Sequence, residues 1–257
     1  MPQPLTTKPI GLPFIELQSV DSTNNYARQQ IHAGLAQHGM TIFSYEQLAG
    51  KGQRGKVWLA EKGANIILSL LLNPFPLLLT QQFQLSACIA VGVHDFFTKY
   101  TGDDSRIKWP NDLYWQDRKA GGILIESVIG SSKLGNNNWQ WAIAGIGINI
   151  NQTSFPPEIK NPVSLKQITG KQFNPLELSK ELCSLLDRRF TELRETGFEN
   201  IYTTYLDHLY KKGSTVKLKK GTRVFEASIE GVSPTGKLIT QHAFREEFDF
   251  GEVELIF

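Results

Sequence analysis

The sequence predicts an α+β fold, on three observations. Apolar runs such as residues 65–73 (NIILSLLLN) are typical of buried strands, and they alternate with long helical patterns near 80–100 and 174–197. After Gly213 the pattern changes to short alternating strands, with turns at 219–221 and 233–236. These last 45 or so residues predict a small β-barrel that packs on the rest, since so short a segment is marginal alone. We therefore expect two domains, 1–212 and 213–257.

The first half of the chain contains helices and strands in alternation. Residues 21–35 predict a short helix capped by Ser22 or Thr23 and closed near Gly34. Strands are predicted at 40–47, 57–60 and 65–73, with a glycine-rich loop before the second of them. The next helix, at 80–100, is apolar on most faces, so we expect it to be central and buried.

The second half begins with a turn at Pro110, Asn111 and Asp112. Two strands follow, at 119–130 and 139–150, joined by a polar loop at 131–138. Asn174 predicts the cap of a long helix, with Pro175 in its first turn and an end near Gly197. A last helix is predicted from 198 to 210.

Composition excludes several classes of protein. The net charge is only +2, whereas a protein held to DNA by its phosphates has a basic excess. No apolar run reaches the 18 residues of a membrane span, and residues 1–14 do not resemble a secretory signal. The two cysteines and five histidines form neither a disulfide framework nor a metal-ligand spacing. We expect a cytoplasmic protein with no structural metal, no membrane partner and no nucleic-acid partner.

The loop Gly50–Lys56 (GKGQRGK) matches two phosphate-binding motifs incompletely. Its three glycines fit the dinucleotide fingerprint, but a strand is predicted after it where that motif needs a helix. It also fits a P-loop, except that Val57 replaces the Ser or Thr that ligates magnesium. Two interpretations stay open: a mobile solvated hairpin loop, or a cationic loop that becomes ordered over an anion.

Lys119 stands beside Gly121 and Gly122 after the Pro-Asn-Asp turn. One interpretation is an ordinary β-hairpin. The other is that the glycines let a ligand approach the backbone while the lysine holds an anion.

Three other stretches are equally ambiguous. Residues 21–24 (DSTN) either cap a helix or bind a small polar ligand. Asn149 lies in an apolar strand, where an amide is costly unless it is hydrogen-bonded, so a ligand partner is one explanation. Trp58 is either a core residue or a stacking surface for a base.

Taken together, these stretches resemble the biotin–protein ligases. The matching segments occur in the family's order: DSTN, then EQLAGKGQRGKVWL with GANIILSLL, then KWPNDLYWQDRKAGGILIE, then GIGININ. The resemblance runs from about Leu17 to the C-terminus. It implies a mixed β-sheet flanked by helices, related to the catalytic core of class II aminoacyl-tRNA synthetases, with an SH3-like barrel at the C-terminus.

The resemblance also implies a reaction. Biotin would attack the α-phosphate of ATP to give biotinyl-5′-AMP, and a lysine of a biotin carboxyl carrier domain would then take the biotinyl group. Mg²⁺ would neutralise the departing pyrophosphate. The catalytic residues would be Lys119, bridging the two anions, and Asp112 as a supporting acid. The implied biotin-binding residues are Ser22, Thr23, Asn24, Gln47, Gly50, Lys51, Gly52, Gln53, Lys119 and Gly122. The implied ATP-binding residues are Arg54, Lys56, Trp58, Asn111, Lys119 and Asn149.

The sequence departs from that family at two places. Lys51, Gln53 and Lys56 stand where many members have arginine, which predicts a weaker hold on the adenylate. Some members carry an N-terminal DNA-binding domain, and we expect the short form here because DSTN begins at residue 21. A homodimer is consistent with the family, although no apolar stripe demands one.

Two alternative functions remain. A lipoate–protein ligase would share the adenylation logic, although the KWPND segment and the basic glycine loop favour biotin. A non-catalytic binding module, with the C-terminal barrel as its interaction domain, belongs to a different class.

Overall fold

The computed structural model describes residues 8–131 and 137–256. Most of the polar loop predicted at 131–138 and the first seven residues of the chain lie outside these ranges.

A seven-stranded mixed sheet forms the centre of the molecule, as predicted. Its strands are β1 (Phe14–Leu17), β2 (Thr41–Ser44), β3 (Ile66–Leu72), β4 (Ser105–Lys108), β5 (Asp112–Trp115), β6 (Arg118–Ser131) and β7 (Asn137–Ile148). The order across the sheet is β1-β2-β3-β7-β6-β5-β4, and only the β1–β2 pair is parallel. The long hairpin of β6 and β7 therefore lies in the middle, where both of its glycine-rich ends can face a site.

Five helices are found in the described residues. They are α1 (Thr23–His32), α2 (Gln82–Thr101), α3 (Leu165–Thr169), α4 (Pro175–Thr196) and α5 (Glu199–Asp207). Twelve residues of α2 are buried, which confirms that it is a central helix packed against α4 and α5. The α4 cap is also as predicted, because the Asn174 side chain accepts a hydrogen bond from the backbone N–H of Leu176 at 3.0 Å.

Two local predictions are wrong. Residues 57–60 do not form a strand: Val57 makes one isolated bridge to Lys51, and the Trp58 N–H donates to the Gly50 carbonyl. The chain folds back on its own loop here instead of pairing with the sheet. The helix predicted at 198–210 ends at Asp207, because the following residues turn to bring Leu209 beside Ile107 of β4.

The C-terminal strands form a separate antiparallel sheet. They are β8 (Thr215–Lys220), β9 (Arg223–Val232), β10 (Leu238–Gln241), β11 (Arg245–Phe248) and β12 (Glu254–Ile256), in the order β11-β10-β9-β8-β12. This sheet packs on the helices: the Tyr202 hydroxyl donates to the Val232 carbonyl at 2.6 Å, and Gly236 lies against the Phe83 ring. Its apolar side chains continue the main core, as its small size requires.

Candidate functional site

Lys119 and Asp112 form an ion pair at the beginning of the central hairpin. The Lys119 Nζ lies 2.7 Å from Asp112 Oδ1, and the Lys119 side chain keeps 30% of its surface exposed. Register brings them together, because Asp112 on β5 pairs with Gly122 on β6. A Cβ at Gly122 would lie only 3.3 Å from Asp112 Oδ1 and 3.5 Å from Lys119 Nζ. Gly122 therefore makes room for this ion pair, and not only for an incoming ligand as the sequence suggested.

Lys108, at the end of β4, is a member of this cluster that the sequence analysis missed. Burial lowers the pKa of Lys108; the Asp112 carboxylate opposes that shift, while Lys119 and Lys56 add to it. The ammonium groups of Lys119 and Lys56 thus act on Lys108 together with two carboxylates, Asp112 and Glu254. Such an excess of positive charge favours binding of an anion. The available signal was a lysine ending a strand directly before the predicted turn.

The glycine loop bends back over the edge of β6. Residues Gln53–Gly55 form a single 3-10 turn, in which Arg54 has a positive φ of 55°. The Gln53 Nε2 donates to the carbonyl of Ile123 at 3.4 Å, and the buried Asn111 amide donates to the same carbonyl. Two predicted site residues from distant segments therefore meet at one backbone oxygen, one residue beyond Gly122.

A cavity of about 370 Å³ separates the loop from β6. Its lining comes from the loop on one side and from β6 on the other: Ala49, Gly50, Lys51, Gly52, Gly55, Lys56, Val57, Leu124 and Glu126. Two of the loop cations thus face a shared space. Lys119 does not line this cavity. The loop approaches Lys119 through Gln53, whose side chain reaches the carbonyl of Ile123 next to Gly122.

Beneath the start of α1 lies a cluster of buried polar groups. Ser22, Thr23 and Asn24 are at most 3% exposed, and Ser69 of β3 is fully buried. The Ser69 Oγ lies 2.7 Å from Thr23 Oγ1 and 2.6 Å from Asn24 Oδ1. The cluster reaches the cavity through Glu126, a lining residue whose carboxylate accepts from Asn24 Nδ2 at 2.7 Å.

Gln47, three residues after the end of β2, also belongs to this cluster. Its Oε1 accepts from the backbone N–H of Thr23 at 2.8 Å and lies 3.0 Å from Thr23 Oγ1. Ser22 occupies the N-cap position of α1, but no side-chain capping bond is formed there. The prediction that Ser22 or Thr23 caps the helix is therefore correct in position only, since the Gln47 amide supplies the acceptor.

Trp58 and Asn149 lie at the same end of the sheet as Gly122, because Gly122 pairs with Gly147 and the Asn149 backbone N–H donates to the Ala120 carbonyl at 2.8 Å. The Trp58 indole packs on β7, where a Cβ at Gly147 would lie 2.4 Å from its Cε2. The indole N–H is buried and has no acceptor among the described residues. Asn149 follows the end of β7 and donates its amide N–H to the Val163 carbonyl at 3.1 Å. A protein group thus supplies the hydrogen bond that the sequence analysis assigned to a ligand.

Arg54 does not face the cavity. Its Nη1 donates to the carbonyl of Gly251 at 3.0 Å, and its guanidinium lies 6.0 Å from the Phe250 ring centroid. Lys51, in turn, donates to the side chain of Asn25 on α1. Arg54, predicted to contact phosphate, and Lys51, predicted to contact biotin, are therefore both exposed and engaged with other parts of the protein.

Comparison with known proteins identifies the family. Residues 16–149, just over half of the chain, match the biotin/lipoate A/B protein ligase family. A biotin–[acetyl-CoA-carboxylase] ligase of Paracoccus denitrificans is 31% identical over 230 residues, covering 87% of this chain and 92% of that protein. This chain belongs to the biotin/lipoate A/B protein ligase family.

Further relatives of this ligase family agree with that assignment. The bifunctional ligase/repressor BirA of Bacillus spizizenii is 28% identical over 259 residues, covering 98% of this chain and 76% of the relative. The biotin protein ligase from Aquifex aeolicus, solved in complex with biotin and ATP, superposes with a TM-score of 0.77 at 28% identity, covering 95% of this chain and 98% of that one. The resemblance inferred from the sequence motifs is confirmed.

The described residues contain neither a membrane-spanning helix nor a cluster of metal-binding side chains. No helix among them combines the length and apolar character that a membrane crossing needs. Within residues 8–131 and 137–256, no group of three or more His, Cys, Asp or Glu side chains is arranged to hold a metal ion.

Proposed function

We propose that this chain is an ATP-dependent biotin–protein ligase that transfers biotin to a lysine of a biotin carboxyl carrier domain. The observation that carries the proposal is that three features contact strand β6: the Lys119–Asp112 pair, the cationic glycine loop and the buried polar cluster. Relatives named as biotin ligases, and a similar structure holding biotin and ATP, support the choice of substrates.

In the first step, an oxygen of the biotin carboxylate attacks the α-phosphorus of ATP. The bond from that phosphorus to the bridging oxygen breaks, and pyrophosphate leaves with the electron pair. Two anions must approach each other, so fixed positive charge is required. Lys119 would supply it by lying between the carboxylate and the α-phosphate, with Asp112 holding its ammonium in place.

On the biotin side, Ser22, Thr23, Asn24 and Gln47 would hydrogen-bond the ureido ring. This ring carries one carbonyl acceptor and two N–H donors, and the cluster offers both hydroxyl and amide groups. Gly50 to Gln53 would close over the bound molecule. Exclusion of water by that closure would protect the mixed anhydride from hydrolysis.

On the nucleotide side, Lys56, Asn111 and Arg54 would surround the phosphates, with Arg54 turning away from Gly251 to do so. Trp58 and Asn149 would lie near the adenine, where the unsatisfied indole N–H is a suitable donor. Magnesium enters as part of the Mg·ATP substrate and leaves with pyrophosphate. In the second step a carrier lysine, as the free amine, attacks the biotinyl carbonyl carbon, and AMP leaves.

Two of our expectations go with this function. The division into a catalytic part, 1–212, and a C-terminal part, 213–257, is supported by the fact that the second sheet takes all its strands from residues 215–256. Lipoate is the second candidate substrate, because the family that matches residues 16–149 includes lipoate ligases.

The test is one incubation of the protein with labelled biotin, Mg·ATP and an apo carrier domain. The proposal expects label on the carrier, which Lys119→Ala should reduce about 100-fold or more, since one preorganised electrostatic contact is worth about 3 kcal/mol. ATP–pyrophosphate exchange with biotin or lipoate as the only acid identifies the substrate. Exchange with lipoate alone would contradict the biotin assignment, and no exchange with either acid would contradict ligase activity.

Lys62→Ala is a matched control for that incubation. Lys62 also forms an ion pair with a carboxylate, Glu46 at 3.1 Å, but its side chain is 62% exposed. Exposed pairs contribute little, so this variant should label the carrier at the rate of the unchanged protein.

A further inference from the structure

Glu126 lines the cavity below the glycine loop but has no role in the reaction described above. Its side chain is 25% exposed, and it uses both carboxylate oxygens. Oε2 accepts from Asn24 Nδ2 at 2.7 Å, and Oε1 forms an ion pair with Arg28 Nη2 at 3.2 Å. Asn24 is thereby tied to β6 across a sequence separation of 102 residues.

We propose that Glu126 is a positioning residue for the biotin site, whose carboxylate fixes the donor and acceptor pattern of the buried polar cluster. The inference rests on the proposed function, since it takes the cluster as the site of the ureido ring. It assigns to Glu126 an effect on biotin binding that is transmitted through Asn24.

The first step of the argument concerns the orientation of the Asn24 amide. An ionised carboxylate has only acceptor oxygens, so the group that faces Glu126 must be the Asn24 NH₂. The Asn24 Oδ1 then faces Ser69, whose Oγ lies 2.6 Å from it. A side-chain amide without such a partner could present either end to Ser69.

The second step follows the hydrogens through the cluster. Ser69 has one hydroxyl hydrogen and two acceptors within reach, Asn24 Oδ1 at 2.6 Å and Thr23 Oγ1 at 2.7 Å, while the Thr23 hydroxyl donates to Gln47 Oε1 at 3.0 Å. Gln47 is oriented independently, because its Oε1 accepts from the Thr23 backbone N–H. Its Nε2 is therefore turned toward the glycine loop, near Gly50. The side-chain amides of Asn24 and Gln47 are therefore each held in one orientation.

The third step is the close packing that keeps Asn24 in place. Asn24 is 3% exposed and packs directly on the backbone of Gly145 in β7, where a Cβ would lie 2.4 Å from Asn24 Oδ1, so the amide cannot shift toward the sheet. Only a flip about its own axis remains, and the Glu126 carboxylate opposes that flip. The orientation of the Asn24 amide therefore depends on the charge of Glu126 more than on its size.

The experiment compares Glu126→Gln with the unchanged protein. Glutamine has nearly the same size but can donate as well as accept, so it leaves the Asn24 orientation undetermined. We expect KM for biotin to rise about tenfold or more, the value of one hydrogen bond to a charged group. KM for ATP and kcat at saturating biotin should stay within about twofold. Titration with biotin alone should give the same loss of affinity without ATP.

Arg28→Gln is the matched control, because it removes the partner of the other carboxylate oxygen. That pair is 35% exposed on the arginine side, so KM for biotin should change by no more than about threefold. A cycle with Ser69→Ala provides a second measurement. Both Glu126→Gln and Ser69→Ala act on the Asn24 amide, so their effects on KM for biotin should be less than additive.

Three outcomes would overturn the inference in an enzyme that is active on biotin. They are an unchanged KM for biotin in Glu126→Gln, an equal rise of KM for biotin and for ATP, and full additivity with Ser69→Ala. Inactivity of the unchanged protein toward biotin would instead contradict the proposed function, so the two failures are distinguishable.

Discussion

Thr23 and Asn24, each 3% exposed, are held by neighbouring hydrogen bonds, whereas Lys51, Arg54 and Lys56 of the glycine loop are exposed. In the proposed function, the first group would bind the ureido ring with its own hydrogen bonds already formed. The second group has no common partner: Lys51 donates to Asn25, Arg54 donates to Gly251 in the C-terminal turn, and Lys56 lines the cavity. The polar cluster is thus preorganised, whereas the cations of the glycine loop would have to rearrange in order to contact a bound anion.

Gly145→Ala tests the preorganised polar cluster and has the largest expected effect. The new Cβ would lie 2.4 Å from Asn24 Oδ1, so the amide must leave its place and at least two buried hydrogen bonds are lost. We expect KM for biotin in the exchange assay to rise about 30-fold or more.

Gly130→Ala is the control for that substitution. Its Cβ would lie 3.0 Å from the Oε1 of Gln140, the far end of a flexible exposed side chain. It should leave KM for biotin unchanged. If both variants raised KM equally, the effect would come from the strands themselves, and the claim of a tightly positioned Asn24 would be wrong.

Lys108→Met tests whether the cationic part of the site relies on concentrated positive charge. Removing one of three mutually influencing ammonium groups should reduce kcat/KM for ATP about tenfold, the equivalent of about 1.4 kcal/mol. The same change should raise Tm at pH 7 by a few degrees, because the partly buried charge is removed. A variant that lost activity together with Tm would show a structural role for Lys108 instead.

The pH dependence of that Tm difference has a defined sign. Burial lowers the pKa of Lys108 below 10.5, so the folded state binds fewer protons than the unfolded state just below that pH. The cost of burying the charge is complete below the lowered pKa and is relieved as pH rises toward 10.5. The stabilisation by Lys108→Met should therefore shrink over that window, as thermal unfolding at several pH values would measure.

Gln53→Arg tests whether the loop binds the adenylate weakly because it lacks an arginine at this position. Gln53 reaches only a weak hydrogen bond to Ile123 at 3.4 Å, whereas an arginine could grip a phosphate with two. We expect dissociation of biotinyl-5′-AMP to slow about fivefold, measured by release of labelled adenylate after rapid gel filtration. An unchanged release rate would count against this account of the loop.

Phe250→Ala has the smallest expected effect and concerns the competing partner of Arg54. It removes the ring beside the guanidinium but leaves the Gly251 carbonyl, so Arg54 should move to phosphate more readily. KM for Mg·ATP should fall about two- to threefold, in keeping with an exposed cation–π contact. Phe244→Ala, another exposed phenylalanine of the same sheet, should have no effect. A rise in KM would mean that the turn holds Arg54 in its productive position.

The sequence predicted those features of the molecule that depend on local chemistry. Helices α2 and α4 followed from their apolar periodicity and from the Asn174 cap, and the pairing of Lys119 with Asp112 fits the turn between them. The central mixed sheet and the ligase family followed from the motif order.

Contacts across long separations were not predictable in this way. The bond from Arg54 to Gly251 spans 197 residues, and the bond from Asn24 to Glu126 spans 102. The pattern of residues 57–60 is typical of a strand, yet the backbone N–H of Trp58 donates to the carbonyl of Gly50 and not to a strand of the sheet. Tertiary packing determines whether such a segment pairs as a strand, and local sequence propensity carries no information about that packing.

Hydrogen exchange of the backbone amides tests the central claim most directly. That claim is that the polar cluster is preorganised and that the glycine loop becomes ordered when the ligands bind. Residues 50–58 and 23–27 would be followed with and without biotin and a non-hydrolysable ATP analogue. The account predicts that protection rises about tenfold or more in 50–58 and changes little in 23–27, where it is already high. Equal gains in both segments, or a gain confined to 23–27, would contradict it.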